Sequence, residues 1–300
     1  MKKKIRVILN AGSGKDKNCD ELRRQLVELF PANNLEAEIF VAESGEDLMK
    51  LAEKAAKSDA EIVVAGGGDG TVSGVASKLI GTGKTLGVLP LGTLNHFSKD
   101  LRIPQDLAEA VRVLAENHTE EIDVGEVNGR VFINNSSIGL YPQIVRKREQ
   151  QERLGKGKWS AAFWAATAVL RRYPFFNIKL RIDSSEVGRK TPFVFIGNNE
   201  YEMDFLNIGT RKTLCDGKLS VYLLHKTGRA GLFMLALRSL FGTMQRAKDF
   251  EAVKTDEITI DSRRKNLLVA FDGEVELMRT PLCYRVRPRS LRVIVPEESK

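Results

Sequence analysis

The chain has 300 residues, 42% of them hydrophobic and 29% charged, which is typical of a globular protein and long enough for two domains. Lys and Arg outnumber Asp and Glu by 47 to 39, and the formal net charge of +8 suits nucleic acid, an anionic membrane face or a phosphorylated substrate about equally. No apolar stretch is long enough to span a bilayer, and the 3 widely spaced cysteines follow neither a metal-binding pattern nor a disulfide framework. We therefore expect a cytoplasmic protein that at most touches the inner face of a membrane.

The first third of the sequence alternates short apolar strands with amphipathic helices. Strands are predicted at 5–9, 38–41, 62–65 and 86–89, and helices at 20–30, at 47–57 and after Thr71. This alternation predicts a largely parallel sheet that is covered by helices.

The pattern changes near Thr119 to strands and hairpins. An Asn128-Gly129 turn joins predicted strands at 122–127 and 131–134, and further strands are predicted at 175–182, 191–196, 219–224, 258–260 and 267–271. The sequence thus predicts an α/β protein of two domains, an α/β domain at 1–118 and a β-rich, antiparallel sandwich-like domain at 119–300. The last strand is a candidate to return to the first domain.

One segment runs from the strand at 62–65 through a glycine turn into a helix, and its residues are Gly66, Gly67, Gly68, Asp69, Gly70 and Thr71. Glycines let backbone N–H groups cradle a phosphate chain, and the dipole of the following helix favours negative charge. A bare polyphosphate would repel Asp69, so this residue indicates a divalent cation or a role in orienting the reacting group. The alternative is a tight strand-to-helix turn with Asp69 as its cap. Three consecutive glycines closed by Asp-Gly-Thr favour the functional interpretation.

Two more turns follow strands of the same predicted sheet. Residues 10–15 (Asn-Ala-Gly-Ser-Gly-Lys) follow the first strand, and residues 89–97 (Leu-Pro-Leu-Gly-Thr-Leu-Asn-His-Phe) follow the fourth. Ligands of open α/β sheets bind at the carboxyl ends of the strands. We therefore expect the three turns to lie along one edge of the sheet.

In these motifs the sequence resembles the diacylglycerol kinase catalytic family, bacterial lipid kinases that are related to sphingosine kinases and more distantly to NAD kinases. The motifs occur in the family's order and at similar spacing over nearly the whole chain, and they are 10–14, 66–71, 92–95, 123–125, 216–217 and 272–274. The resemblance implies two domains with an active site in the cleft between them, and transfer of phosphate from ATP to a lipid hydroxyl.

The resemblance also implies roles for individual residues. Asp69 would help to hold the nucleotide phosphates and Mg²⁺, and Glu274 would accept the proton of the lipid hydroxyl. A further structural Mg²⁺ would be bound by the Asp216 carboxylate and the carbonyls of Thr213 and Lys218, with Asp123 linked through water. ATP would contact Asn10, Gly12, Ser13, Gly14, Gly66, Gly67, Gly68, Asp69, Gly70, Thr71, Val72, Thr93 and Asn95.

Turn chemistry alone gives plainer interpretations of the second domain's motifs. Asp272-Gly273-Glu274 is typical of a type I′ hairpin turn, and Asp216-Gly217 is typical of a turn before the strand at 219–224. Two positions also depart from the family. His96 stands where many relatives have Asp, and Ala42 stands where several have a nucleotide-contacting Thr, which predicts that one ATP contact is missing.

Two apolar helical patterns bear on the lipid. Residues 159–172, with Trp159 at one end and cations on both sides, fit an interfacial helix or a helix that faces the core, and residues 231–245 allow the same two interpretations. The basic run at 146–158 could attract anionic headgroups or form a solvated helix face. The expected partners are ATP and a lipid substrate at a membrane surface, and a homodimer is left open.

Three functions fit the sequence. The leading prediction is a cytoplasmic, Mg²⁺- and ATP-dependent lipid kinase that phosphorylates diacylglycerol or a similar lipid alcohol. The alternatives are an NAD kinase-like small-molecule kinase and a non-catalytic lipid- or nucleotide-binding regulator, which the departures at His96 and Ala42 suggest. Aromatic residues are few, at 7%, and no nucleic-acid recognition motif occurs, so nucleic acid is not an expected partner.

Overall fold

The computed structural model describes most of the chain. The described residues are 3–12, 19–140, 142, 175–182, 185–204, 207–211, 213–224 and 250–297. The predicted helices at 159–172 and 231–245 and the basic run at 146–158 lie outside these residues. Within the described residues, no helix is long and apolar enough to cross a lipid bilayer.

The chain divides into two compact units, the first formed by 1–124 with 288–300 and the second by 125–287. The chain passes between the units twice, in strands β5 (Thr119–Val127) and β18 (Leu282–Ile294). The domain limits predicted at 1–118 and 119–300 stay a prediction.

The first unit is built on parallel strands. Strand β1 pairs in parallel with β2 and β3, β3 pairs with β4, and β4 pairs with the end of β18 through Arg292 and Val293. The elements of this unit before β5 are β1 (Ile5–Asn10), α1 (Cys19–Ala32), β2 (Ala37–Ala42), α2 (Gly45–Lys57), β3 (Ile62–Gly67), α3 (Asp69–Leu79), β4 (Thr85–Pro90), α4 (His96–Asp100) and α5 (Leu107–Glu116).

The central strands of this sheet are buried along their whole length. All six residues of β3 and all six of β4 are buried, as expected for parallel strands that helices cover on both faces. Helix α2 turns Leu48, Ala52 and Ala55 inward, at the helical spacing that the sequence shows. The predicted alternation of strands and helices is therefore confirmed.

The second unit is antiparallel. One sheet has the strand order β14-β13-β10-β7-β16-β17, while β15 pairs with both β18 and β8, and β8 pairs with β9. The strands of this unit between β5 and β18 are β6 (Arg130–Phe132), β7 (Asn135–Gly139), β8 (Phe176–Ile182), β9 (Ser185–Thr191), β10 (Phe193–Asn198), β11 (Tyr201–Asp204), β12 (Asn207–Arg211), β13 (Leu219–Leu224), β14 (Phe250–Thr255), β15 (Glu257–Ser262), β16 (Asn266–Phe271) and β17 (Glu274–Arg279).

The apolar side chains of these strands form one core in the second unit. It includes Phe132, Ile138, Val194, Val269 and Tyr284, all fully buried or nearly so. The predicted fold class, a largely parallel α/β unit followed by an antiparallel β-rich unit, is confirmed.

Several strands of the second unit were not predicted from the sequence, and β9 shows why. Strand β9 reads Ser-Glu-Val-Gly-Arg-Lys-Thr, and its first six residues are exposed or only half-buried. It therefore lacks the alternation of apolar and polar residues that marks a strand with one buried face. The prediction instead began a strand at Thr191, whereas Pro192, which has no N–H to donate, separates β9 from β10.

Candidate functional site

The glycine turn after β3 forms as the sequence predicts. Strand β3 ends at Gly67, Gly68 is the N-cap of α3 in an extended conformation, and no side chain caps this helix. The start of α3 therefore presents backbone N–H groups and the positive end of a helix dipole without a competing side chain at the cap.

Asp69 joins this turn to the turn after β4. Its Oδ2 accepts the backbone N–H of His96 at 3.2 Å, and its Oδ1 accepts that of Phe97 at 3.0 Å. These are the first residues of α4, so the carboxylate caps a second helix while it sits in the first turn of α3. Each carboxylate oxygen retains a further lone pair for another ligand.

Three of the glycines are required by close packing. A Cβ on Gly92 would lie 2.4 Å from the Gly68 Cα, one on Gly66 would lie 2.4 Å from the Leu9 Cδ2, and one on Gly67 would lie 2.4 Å from the Thr71 Oγ1. The two turns are therefore in backbone contact at Gly68 and Gly92, and a side chain at Gly92 would separate them.

Gly70 differs from these glycines. A Cβ at this position would meet no atom within 4 Å, and the backbone is not in the left-handed region. Packing and backbone geometry do not require glycine here, so its presence at the uncapped end of α3 is consistent with the close approach of a ligand.

Asn10 connects the turn after β1 to the start of α3. Its Nδ2 donates to the Thr71 Oγ1 at 2.9 Å, and its Oδ1 accepts the backbone N–H of Gly12 at 3.0 Å. The structure thus brings together the three turns that the sequence predicts to share an edge. Ser13 and Gly14 lie outside the described residues.

The Asn95 side chain forms hydrogen bonds with the backbone of its own turn. The side chain is buried, and its Nδ2 donates to the carbonyl oxygens of Pro90 and Gly92 and to the Gln105 Oε1 at 3.0 to 3.1 Å. The backbone is left-handed, with φ of 50°, which Asn tolerates better than most residues. Thr93, by contrast, is exposed, so it is the more accessible of these two predicted ATP contacts.

The two departures from the family lie beside these turns. Ala42 is fully buried, and its carbonyl accepts the backbone N–H of Ala11 at 3.0 Å. His96 contributes its backbone N–H to Asp69, an interaction that any residue except proline would supply. The framework around Asp69 is therefore independent of the His96 side chain.

In the second unit, Glu274 follows a type I′ turn. Strands β16 and β17 pair through Phe271 and Glu274, while Asp272 and Gly273 have φ of 46° and 91°. The predicted hairpin is confirmed, and the Glu274 side chain is exposed. Its carboxylate is therefore accessible to a substrate.

Asp272 fastens this turn to the segment before β7. Its Oδ2 accepts the backbone N–H of Ile133 at 2.8 Å, and its Oδ1 accepts those of Asn134 and Asn135 at 2.9 and 3.1 Å. The backbone N–H of Asp272 in turn donates to the Asn135 carbonyl at 3.0 Å. Asp272, two residues before Glu274, thus anchors the turn through charge-assisted hydrogen bonds.

Arg211 holds the same segment and was missed by sequence reasoning. Its buried guanidinium donates to the Ile133 carbonyl at 2.6 Å and to the Asn134 Oδ1 at 2.9 Å. The Arg211 guanidinium also lies over the Tyr201 ring, 5.4 Å from its centroid. No local pattern marks an arginine as buried, because its acceptors are far away in sequence.

The residues predicted to bind a structural metal are divided between the two units. Asp216 is exposed in a turn before β13, and the Lys218 carbonyl accepts the backbone N–H of Asn199 at 3.0 Å. Thr213 accepts the N–H of Cys215 at 3.2 Å through its hydroxyl. Asp123 belongs to the first unit, is 1% exposed, and accepts the backbone N–H of Arg289 at 3.0 Å.

No cluster of three or more His, Cys, Asp or Glu side chains that could hold a metal occurs in the described parts of the chain. The predicted set depends on two backbone carbonyls and does not require such a cluster. It stays a prediction.

Comparison with known proteins places these features in one family. Residues 4–127 match the diacylglycerol kinase catalytic domain, and residues 139–295 match the YegS C-terminal NAD kinase beta sandwich-like domain. The chain is 28% identical over 236 residues to the diacylglycerol kinases of Staphylococcus aureus strains bovine RF122 / ET3-1 and MRSA252, covering 77% of this chain and 74% of each relative.

Solved structures show the same fold. A diacylglycerol kinase from Bacillus anthracis str. Sterne superposes with a TM-score of 0.69 at 22% identity, covering 98% of this chain and 97% of that one. A second structure from the same organism superposes with a TM-score of 0.74 at 24% identity and the same coverage. The resemblance drawn from the glycine turns and the Asp-Gly-Glu hairpin is confirmed: the chain belongs to the diacylglycerol kinase catalytic-domain family, a family of lipid kinase phosphotransferases.

Proposed function

We propose that this lipid kinase transfers the γ-phosphate of ATP to a hydroxyl of diacylglycerol or a similar lipid alcohol. The observation that carries the proposal is the Asp69 carboxylate, which fixes the glycine turn of α3 against the turn after β4 through His96 and Phe97. Phosphoryl transfer depends mainly on positioning and on neutralising charge, and a locked glycine turn at an uncapped helix end supplies positioning.

The backbone around α3 suits a triphosphate chain. The N–H groups at its start face no capping side chain, and Gly70 leaves the adjacent space open. Asn10 and Thr71 are hydrogen-bonded to each other there, which holds the turn after β1 beside the helix start. These features support a nucleotide contact along all three turns.

Glu274 is the proposed proton acceptor. A general base must have an accessible carboxylate and a fixed position, since a small displacement costs rate. Glu274 is exposed, and Asp272 two residues earlier fastens the turn through three backbone N–H groups. In the proposed step the Glu274 carboxylate takes the proton as the lipid oxygen attacks the γ-phosphorus and ADP leaves.

Mg²⁺ suits the oxygen donors of the chain. The Asp69 carboxylate, with a free lone pair on each oxygen, would share a nucleotide-bound ion, and the exposed Asp216 with the carbonyls of Thr213 and Lys218 would hold a structural one. When bound with ATP, Mg²⁺ neutralises charge on the phosphates. The proposed setting is the cytoplasmic face of a membrane, where the lipid substrate lies and where a net charge of +8 favours anionic headgroups.

The test is transfer of labelled γ-phosphate from Mg·ATP into a total lipid extract in mixed micelles. Wild type is compared with Asp69→Ala and Glu274→Ala, and with Glu276→Ala as a control in the same strand, because Glu276 forms an exposed pair with Arg130. A labelled lipid with wild type and the control, and none with the two site variants, supports the proposal and identifies the substrate.

Two other outcomes would contradict the proposal. Saturable phosphorylation of soluble NAD without any labelled lipid would support the small-molecule kinase. Nucleotide binding without turnover on either substrate would support a non-catalytic regulator.

A further inference from the structure

A cavity of about 580 Å³ opens on three strands of the second unit that do not carry the Asp272–Glu274 turn. It is lined by residues of β8, β9 and β15, and by Arg263, which follows β15. Asn177 and Lys179 of β8 alternate with buried Phe176 and Ile178, so they point away from the core. Seven of the nine lining residues have polar or charged side chains, which suits a charged ligand.

Four basic residues line the cavity, and three of them are exposed. Lys179 and Lys190 are exposed on β8 and β9, and Arg263 is exposed just after β15. The strand register places Asn177 opposite Lys190 and Lys179 opposite Gly188. Asp261 is the acid of the lining and lies opposite Lys179 on the other neighbouring strand. The positive charge on this face therefore exceeds the negative charge.

Gly188 keeps the cavity open. It lies in the interior of β9, its φ is not in the left-handed region, and a Cβ there would meet no atom within 4 Å. Glycine weakens a strand interior and often marks a place where a ligand approaches the backbone. Neither backbone conformation nor packing explains glycine here.

The cations are available to an added anion. The Lys179 Nζ is 2.8 Å from Glu186 in an exposed pair, and such pairs contribute little and exchange easily. The Lys190 Nζ lies over the Phe175 ring, 5.9 Å from its centroid. Among the described residues, Arg263 has no ion-pair partner.

Arg189 is the exception among the basic residues of the cavity. Its guanidinium makes a two-point contact with Glu251, at 3.1 and 3.2 Å, and both side chains are about one third exposed. This cation is therefore already neutralised, and the remaining charge comes from Lys179, Lys190 and Arg263.

We propose that this cavity binds the phosphate of a phosphomonoester, presented by a soluble ester or by a lipid headgroup. The dianionic phosphate would accept hydrogen bonds from the two lysines and from Arg263, whose planar fork matches phosphate oxygens. The Asn177 amide supplies a neutral donor beside them. The site is independent of the proposed kinase reaction.

The first experiment follows the backbone amide of Gly188 by ¹H–¹⁵N NMR while sn-glycerol 3-phosphate is added. Mg²⁺ and a non-hydrolysable ATP analogue are present throughout. They occupy the proposed nucleotide site, so that binding of the added ester to the nucleotide turns does not contribute to the signal. The Gly188 amide is expected to shift and saturate with the ester and to stay still with glycerol.

Two variants test the cavity and one provides the control. Lys190→Gln with Arg263→Gln removes two cations, and Gly188→Val fills the open space with a residue that suits a strand. Each is expected to weaken binding by about 10-fold or more, read from the backbone amide of residue 188. The first variant loses hydrogen bonds to charged groups, which are the strong ones, and the second fills the space that the phosphate would occupy. Arg264→Gln with Lys265→Gln removes equal charge from the exposed turn that follows Arg263, outside the cavity, and is expected to leave binding unchanged.

A second arm identifies the source of the phosphate. Sedimentation of the protein with phosphatidylcholine vesicles is compared with and without phosphatidic acid, for wild type and both paired variants. Extra sedimentation that needs Lys190 and Arg263 assigns the site to a lipid headgroup, while binding of the soluble ester alone assigns it to a free phosphomonoester. An unmoved Gly188 amide, or equal loss in the two paired variants, would overturn the proposal.

Discussion

The Asp69 carboxylate accepts the backbone N–H of Phe97 at 3.0 Å, across 28 positions of the sequence. The same carboxylate lies in the first turn of α3, beside the glycines that are proposed to contact the nucleotide phosphates. One side chain thus fixes two turns at once, and it does so through its charge. Changes at Asp69 should therefore affect both stability and phosphate transfer.

Asp69→Asn tests this double role. The amide keeps the shape but turns a donor toward one of the two backbone N–H groups, so we expect a loss of about 1 to 3 kcal/mol in unfolding free energy. Urea unfolding measures the loss, and phosphate transfer to lipid should fall by more than tenfold.

The matched control is Asp106→Asn, the same substitution at the cap of α5, where Asp106 accepts the Glu109 N–H at 3.1 Å. Asn caps helices about as well as Asp. This variant should keep both stability and activity, and an equal loss in the two variants would show that Asp69 is only a cap.

Gly70→Ala separates a binding glycine from a packing glycine. A Cβ at Gly70 has open space in the folded chain, so the melting temperature should stay close to that of wild type. The added methyl group occupies the space beside the start of α3, and affinity for a Mg·ATP analogue, measured by calorimetry, should fall.

Gly67→Ala is the contrasting variant. Its Cβ would lie 2.4 Å from the Thr71 Oγ1, so overpacking should cost about 1 to 3 kcal/mol of stability. Wild-type nucleotide affinity in Gly70→Ala would remove the argument for ligand approach at that position.

Asp272→Asn tests whether the turn positions Glu274. Asn suits the left-handed backbone and the type I′ turn, so the hairpin should form. Its amide places a donor against the Ile133 N–H, which the Asp272 Oδ2 accepts at 2.8 Å. We expect kcat to fall while KM for ATP is unchanged, because the base is displaced and the nucleotide turns are not.

Glu276→Gln is the control for that measurement, because it alters an exposed ion pair on the same strand as Glu274. Its kcat should match wild type. A rise in KM for ATP as the main effect of Asp272→Asn would contradict a positioning role.

Tyr284 predicts a pH dependence of stability. Burial raises the pKa of its hydroxyl, which lies 3.1 Å from the Ser136 Oγ. The folded state therefore favours the neutral phenol, and this contribution is complete below the unfolded pKa of about 10 and is lost as the pH rises above it.

The measurement compares urea unfolding of wild type and Tyr284→Phe across the alkaline range. The variant should be less stable near neutral pH by about 1 kcal/mol, because the hydrogen bond is lost. It should also lose stability less steeply above about pH 10. Parallel curves would show that Tyr284 ionises as easily in the folded chain as in the unfolded one.

Local sequence patterns were sufficient to predict the turns and the fold class. The glycines at 66–68 end an apolar strand, and Asp272-Gly273 lies between two apolar runs, so backbone preferences of neighbouring residues already dictate both turns. The change from helical to alternating periodicity likewise separates the parallel sheet from the antiparallel strands. These features depend on residues a few positions apart, which is why the sequence by itself determined them.

Tertiary structure decided which groups the key carboxylates bind. Asp272 accepts a hydrogen bond from the Ile133 N–H, 139 positions away in the sequence, and Arg211 donates one to the Ile133 carbonyl, 78 positions away. Such contacts depend on which strands become neighbours, and no local pattern encodes that choice. The same holds for glycine: the motif is uniform in sequence, but only the folded chain shows that Gly67 is required by packing and that Gly70 is not.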